Sequence, residues 1–272
     1  MTWDRPIYGI SAGSQLAAEI SLGLFTLVAL GYCVWLARRD RKVWPLMVWA
    51  GGAPMALWEP MQNIVTHVVY PEIDQHTAFE IYDRPMPIYL VLVYMCYFGI
   101  WVPLLMKKFE DYVSVRQVMR YYFITVAFAA AFEPVPVSGF KWWQYYGSSQ
   151  PLKFFGIPIW WFFVNAMVIV GVAVIFTVLR RRVLTADWQS VVFIPGGLFV
   201  CGGLHLSAGI PVYAAIGSGL SSATTIPLSL VSCGLAIVWV YLLARLATTP
   251  TPARDLTGTF DSAVRAERVA PA

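Results

Sequence analysis

Two glutamates lie inside long apolar runs, where an acid needs a reason. Glu59 falls in Leu57-Trp58-Glu59-Pro60 and Glu133 in Ala131-Phe132-Glu133-Pro134, so each has an aromatic residue before it and a proline after it. A charge in hydrocarbon costs at least about 2.5 kcal/mol, so acids kept there face a bundle interior or a water-filled cavity and mark function. The chemistry such a pair offers is proton transfer. Proline frees the carbonyl one turn earlier and kinks a helix, which puts each acid beside a break where protein or water must satisfy the backbone.

Depth gathers more groups around the pair. At 1.5 Å per helical residue, Glu59 lies roughly 25 Å beyond Lys42, Glu133 roughly 20 Å beyond Arg120, His205 roughly 27 Å beyond Asp187 and Glu19 roughly 28 Å before Arg38. Four ionisable groups at one level predict a shared cavity, with simple solvation near the interface as the competing account for Glu19 and His205. Asn63, one turn past Glu59, and Asn165, in Trp160-Trp161-Phe162-Phe163-Val164-Asn165, are buried amides of the kind that more commonly join helices than do chemistry.

Between these runs, residues 67–83 hold His67, Glu72, Asp74, His76, Glu80 and Asp83, six proton-transfer or metal-ligating groups in 17 residues. Glu72, Asp74 and His76 alternate, which places three donors on one side of an extended strand. No metal-ligand spacing is matched, so a solvated acidic loop pairing with Arg84 is expected, free to cap the cavity; no metal or cofactor is expected anywhere.

The elements that must position these groups are membrane helices. The 272 residues are 58% apolar and 12% charged, too little charge for the surface of a soluble domain. Apolar runs predict an all-α polytopic membrane protein with seven transmembrane helices near 15–37, 43–65, 86–106, 116–137, 155–179, 189–209 and 222–246. Fifteen of the nineteen Lys and Arg residues fall in alternate connections, which by the positive-inside rule puts the N-terminus outside, the C-terminus in the cytoplasm and the chain in the cell membrane. The basic residues orient helices, and no nucleic-acid partner is expected. Cys33, Cys96, Cys201 and Cys233 share no redox or metal spacing and are expected to be packing residues. The start lacks the pattern of a cleavable signal. Residues 1–247 are expected to form the helical domain and 248–272 a disordered tail. Trp142, Trp143, Tyr145, Tyr146, Trp160 and Trp161 fit an interfacial belt with a few rings left to line a pocket, and Glu110, between two helices, is expected to be solvated.

The stretch from Glu133 to Gly147 (EPVPVSGFKWWQYYG) and from Pro151 to Trp160 (PLKFFGIPIW) resembles a segment of the integral-membrane carotenoid hydratases: an acid ending one helix, a Gly- and Tyr-rich loop, then Gly-hydrophobic-Pro into the next helix. The seven-helix size with membrane acids is similar to the membrane-bound terpene cyclases. The resemblance implies acid-initiated hydration or cyclisation of a lipophilic isoprenoid, with membrane lipid as the other partner. The chemistry suits the residues, since a carboxyl group kept dry can hold a proton and deliver it as a general acid, and aromatic faces stabilise a carbocation. On that reading Glu133 and Glu59 are proton donor and partner, and Trp58, Asn63, Phe132, Tyr145, Trp161, Asn165 and His205 bind substrate. The absence of an Asp-rich helical run favours protonation over diphosphate ionisation. A retinal Schiff base is excluded, because lysine occurs only at 42, 107, 108, 141 and 153 and none of these lies in the seventh helix. A small-molecule transporter or lipid-binding protein and a structural membrane subunit remain as alternatives.

Overall fold

The computed structural model describes residues 5–110 and 114–248. The chain is mostly helical, and among the described residues six helices are long and apolar enough to cross a membrane, which makes this a multi-pass membrane protein. The first, α1 (Ala12–Asp40), begins where the Ser11 side chain accepts from Ser14 N at 3.2 Å and ends where Arg41 turns left-handed. After it come α2 (Trp44–Met55) and α3 (Glu59–Thr66), then α4 (Ile88–Glu110), α5 (Val115–Phe132), α6 (Ile159–Arg182), α7 (Phe193–Gly217) and α8 (Ser222–Thr248). Ser114 and Gln117 form a reciprocal cap at the start of α5.

The second expected helix is not continuous. Pro54, which has no N–H to donate, lies inside α2, a single 3-10 turn (Ala56–Trp58) follows, and Pro60 occupies the first turn of α3, where a missing donor costs nothing. The run 44–66 is therefore three short pieces rather than one long helix. The run expected to end near 209 continues instead to Gly217. The connections are not wholly irregular, as an all-α reading requires: β1 (Val68–Val69) pairs with β4 (Gln144–Tyr145), β2 (Thr77–Ile81) with β3 (Arg84–Pro87), and β5 (Lys153–Phe154) with β6 (Ile157–Pro158), all antiparallel. Short loops at the rim of a bundle gain these ladders because their backbone groups must pair when water is scarce. The expected tail lies outside the described residues, save Thr248, which ends α8.

At the centre stands α6, the most enclosed of the long helices, packed by α4, α5, α7 and α8. Adjacent glycines wedge α2 between two neighbours: a Cβ on Gly51 would lie 2.7 Å from the Phe193 carbonyl oxygen, and one on Gly52 2.8 Å from Met95 Cα. Small residues let membrane helices approach this closely. On the outer surface, large apolar side chains such as Leu24, Val28 and Phe199 stand exposed, as lipid-facing residues do.

The two ends of the bundle are gathered differently. At one, Lys107 bonds Asp40 at 2.8 Å, Arg180 bonds Glu110, Arg181 donates to the Phe109 and Glu110 carbonyls, and Asp187 Oδ2 accepts from Val43 N at 2.5 Å. Glu110 is therefore built into an ionic cluster rather than solvated. At the other, the loop end, β1 pairs with β4, Arg5 bonds Glu72 at 3.1 Å and Ile10 N donates to Ile73 O at 3.2 Å.

Candidate functional site

Both acids sit at helix interruptions. Glu59 follows the 3-10 turn and opens α3, while Glu133 is the C-cap of α5, after which Pro134 leads into a π turn (Val135–Gly139). Breaks of this kind turn a side chain out of the helical stripe and into the space between helices.

Glu59 is 3% exposed and held from three directions. Tyr70 Oη donates to its Oε1 at 2.9 Å and Tyr94 Oη to its Oε2 at 2.5 Å. With the Asn63 amide in the orientation that satisfies its neighbours, its nitrogen donates to Glu59 Oε1 at 3.0 Å. Glu133 is part-buried: Trp161 Nε1 donates to its Oε2 and Asn165 Nδ2 to its Oε1, both at 2.9 Å.

The two carboxyl groups open into one cavity of about 80 Å3, as the space open to the centre of a water molecule. A single water needs roughly 10–15 Å3, so the cavity takes several waters or the reacting end of a chain. Its roof is Val68 and Tyr145, facing partners in the β1–β4 ladder, and α4 supplies Tyr89, Tyr94, Tyr97 and Phe98. Trp161, Asn165 and Val168 of α6 form another wall, and Cys201 and His205 of α7 the next.

Comparison with family models, curated proteins and solved structures finds no match to this chain.

Of the four groups expected at one depth, Glu59, Glu133 and His205 line the cavity, whereas Glu19 accepts a hydrogen bond from His76 Nδ1 at 2.8 Å. His205 lies between Trp58 and Trp161, with ring centroids 6.4 and 5.5 Å away and planes 25° and 20° apart, and its Nδ1 is 3.4 Å from Tyr213 Oη. Trp58 thus backs the histidine from behind the lining, as Asn63 backs Glu59. Phe132 stands elsewhere: its ring stacks on Phe128 at 4.3 Å and is 58% exposed, because it precedes the break at Glu133 and keeps the outward direction of α5. Among the described residues no group of His, Cys, Asp and Glu is arranged to hold a metal ion.

Tyr70, Tyr94 and Gln62, and with them Tyr89, Tyr97 and Cys201, are cavity residues that the sequence reading missed. Tyr94 carried a signal, since a phenol hydroxyl deep in an apolar helix needs a partner. Tyr70 carried none, because its reach to Glu59 follows from the path of the loop after α3.

Proposed function

We propose that this protein is an integral-membrane enzyme that protonates a carbon–carbon double bond of a lipophilic isoprenoid, so that hydration or cyclisation follows. The observation that carries the reading is the opening of two carboxyl groups, Glu59 and Glu133, into one cavity walled by tyrosine and tryptophan rings.

Glu133 is the donor. Each of its oxygens accepts one N–H bond, and a protonated oxygen that accepts one bond still has its own O–H to direct into the cavity. The π electrons take that proton to form a C–H bond, leaving a carbocation on the neighbouring carbon. The faces of Trp161 and Tyr145, tilted rings with centroids 6.0 Å apart, stabilise such a cation. Water adds to the cation, or a second double bond of the same chain attacks it and carries the charge to a new carbon; Glu59, whose three hydrogen-bond donors suit it to the role of counter-ion and base, then takes a proton from the added water or from the carbon beside the last cation, and proton exchange returns Glu133 to its acid form. His205 and Asn165 shape the wall, and Trp58 and Asn63 position His205 and Glu59.

The cavity admits the reacting end of a chain rather than a long polyene entire, so the remainder of the substrate lies along the bundle or in lipid. We infer seven crossings, with the broken run 44–66 among them, the N-terminus outside and the C-terminus in the cytoplasm of a cell-membrane protein. Support comes from contacts: residue 43 bonds at the basic end through Asp187, and Val68 pairs at the loop end with Tyr145. The excess of Lys and Arg on the connections at the first of these ends marks it as cytoplasmic. The function is tested by lipid mass spectrometry of a strain lacking the gene; an isoprenoid profile identical to that of the parent strain counts against it.

A further inference from the structure

At the loop end a guanidinium is buried without a counter-charge. Arg84, the first residue of β3, is 8% exposed, its Nη1 is buried with no hydrogen-bond partner, and no carboxylate of the described residues lies within 4.0 Å of it. Of the loop acids expected to pair with it, Glu72 bonds Arg5 instead, at 3.1 Å. A buried charge left alone is costly, and an anion that meets it recovers much of that cost.

The surroundings fit an anion. Burial, and after it the charge of Arg84, holds the His67 imidazole below the ordinary histidine range. His67 stacks on Tyr146 with centroids 5.0 Å and planes 6° apart, and the buried Tyr146 hydroxyl has no partner. Gly147 turns left-handed at φ 89°, and a Cβ there would lie 3.2 Å from His67 Nδ1. The next residues along each strand, Val68 and Tyr145, roof the cavity.

We propose that Arg84 forms an oxyanion site that takes the carboxylate or phosphate at the end of a lipophilic molecule whose apolar part lies toward the cavity roof. The planar fork of arginine matches both groups with two parallel hydrogen bonds, and β3 runs straight into α4 at Ile88, which places the site at headgroup level. The proposal extends the reading above by naming the polar end of the substrate and rests on it only for calling the ligand a substrate. Binding without turnover separates the two, since a failed reaction leaves the binding result standing.

The test is calorimetric titration of the full chain, in micelles of an uncharged detergent, with dodecyl phosphate, dodecanol and inorganic phosphate. Dodecyl phosphate is expected to bind at least about 10-fold tighter than dodecanol, with about a 10-fold loss in Arg84→Gln and a smaller one in Arg84→Lys. Competition by inorganic phosphate shows that the site accepts the free oxyanion; a phosphate preference without such competition assigns it to the headgroup of a chain, and either supports the site. Equal binding of dodecyl phosphate and dodecanol, or unchanged binding in a folded Arg84→Gln, overturns it. Should that variant not fold, the preference of the unaltered protein for phosphate over alcohol decides.

Discussion

Tyr94 on α4 and Glu59 at the start of α3 share a hydrogen bond of 2.5 Å, so the phenol ties the broken run to the helix beside it. Tyr94→Phe leaves one buried carboxyl oxygen with an unmet acceptor, at a cost of about 1–3 kcal/mol. Thermal unfolding in detergent should show a lower Tm for the variant. An unchanged Tm would mean that Glu59 does not depend on this bond.

Two glycine substitutions should move stability in opposite directions. Gly52→Ala drives a methyl group against the Met95 backbone and should cost about 1–3 kcal/mol. Gly203→Ala, in α7, meets nothing within 4 Å and gains helix propensity of up to about 1 kcal/mol. Denaturation of the two proteins side by side checks both signs, and a neutral Gly52→Ala would show that α2 does not pack closely on α4.

Stability should fall in mild acid through His67. Burial, reinforced by Arg84, lowers its folded-state pKa from the ordinary 6.5, so near and below that pH the unfolded chain binds protons that the folded chain refuses. The stability tied to His67 is complete above about pH 6.5 and lost as the pH drops from there toward the folded value. Unfolding measured at pH 8 and pH 5.5 should show the difference, and His67→Gln should reduce it; an equal fall in the variant would assign it to other groups.

Reporter fusions after Arg41, Lys108, Arg182 and Ala247 should read cytoplasmic, and those at Gln75 and Ser149 external. The Gln75 fusion is the most telling, because it lies just past the broken run. A cytoplasmic signal there would mean that 44–66 does not cross.

Much of this molecule was legible in its sequence because lipid is a demanding solvent. Apolar run length alone places α1, α4, α5, α6 and α8 within a few residues, and the cost of membrane charge singles out Glu59 and Glu133. Depth along a helix carries no direction around it, which is why Glu19, expected at the level of the cavity, turns to His76, and why Phe132, adjacent to Glu133, faces outward. Strand pairing between distant loops was also invisible: Val68 meets Tyr145 across 77 residues, and nothing local in two-residue strands announces it. Glu110 read as solvated because its partner Arg180 is 70 residues away.

Glu133→Gln tests the proposed chemistry most directly, since glutamine keeps the shape and one accepting oxygen but has no acid proton to give. The gene-deleted strain is complemented with wild type, Glu133→Gln or Glu80→Gln, the last an exposed acid on β2 that serves as the control. Cells are grown in deuterated water and lipid extracts compared by mass spectrometry, scoring the isoprenoid product and the deuterium added at the protonated carbon. The expected result is labelled product with wild type and Glu80→Gln, and none with Glu133→Gln at equal expression. Full product from Glu133→Gln, or product that gains no deuterium at that carbon, would contradict protonation by Glu133.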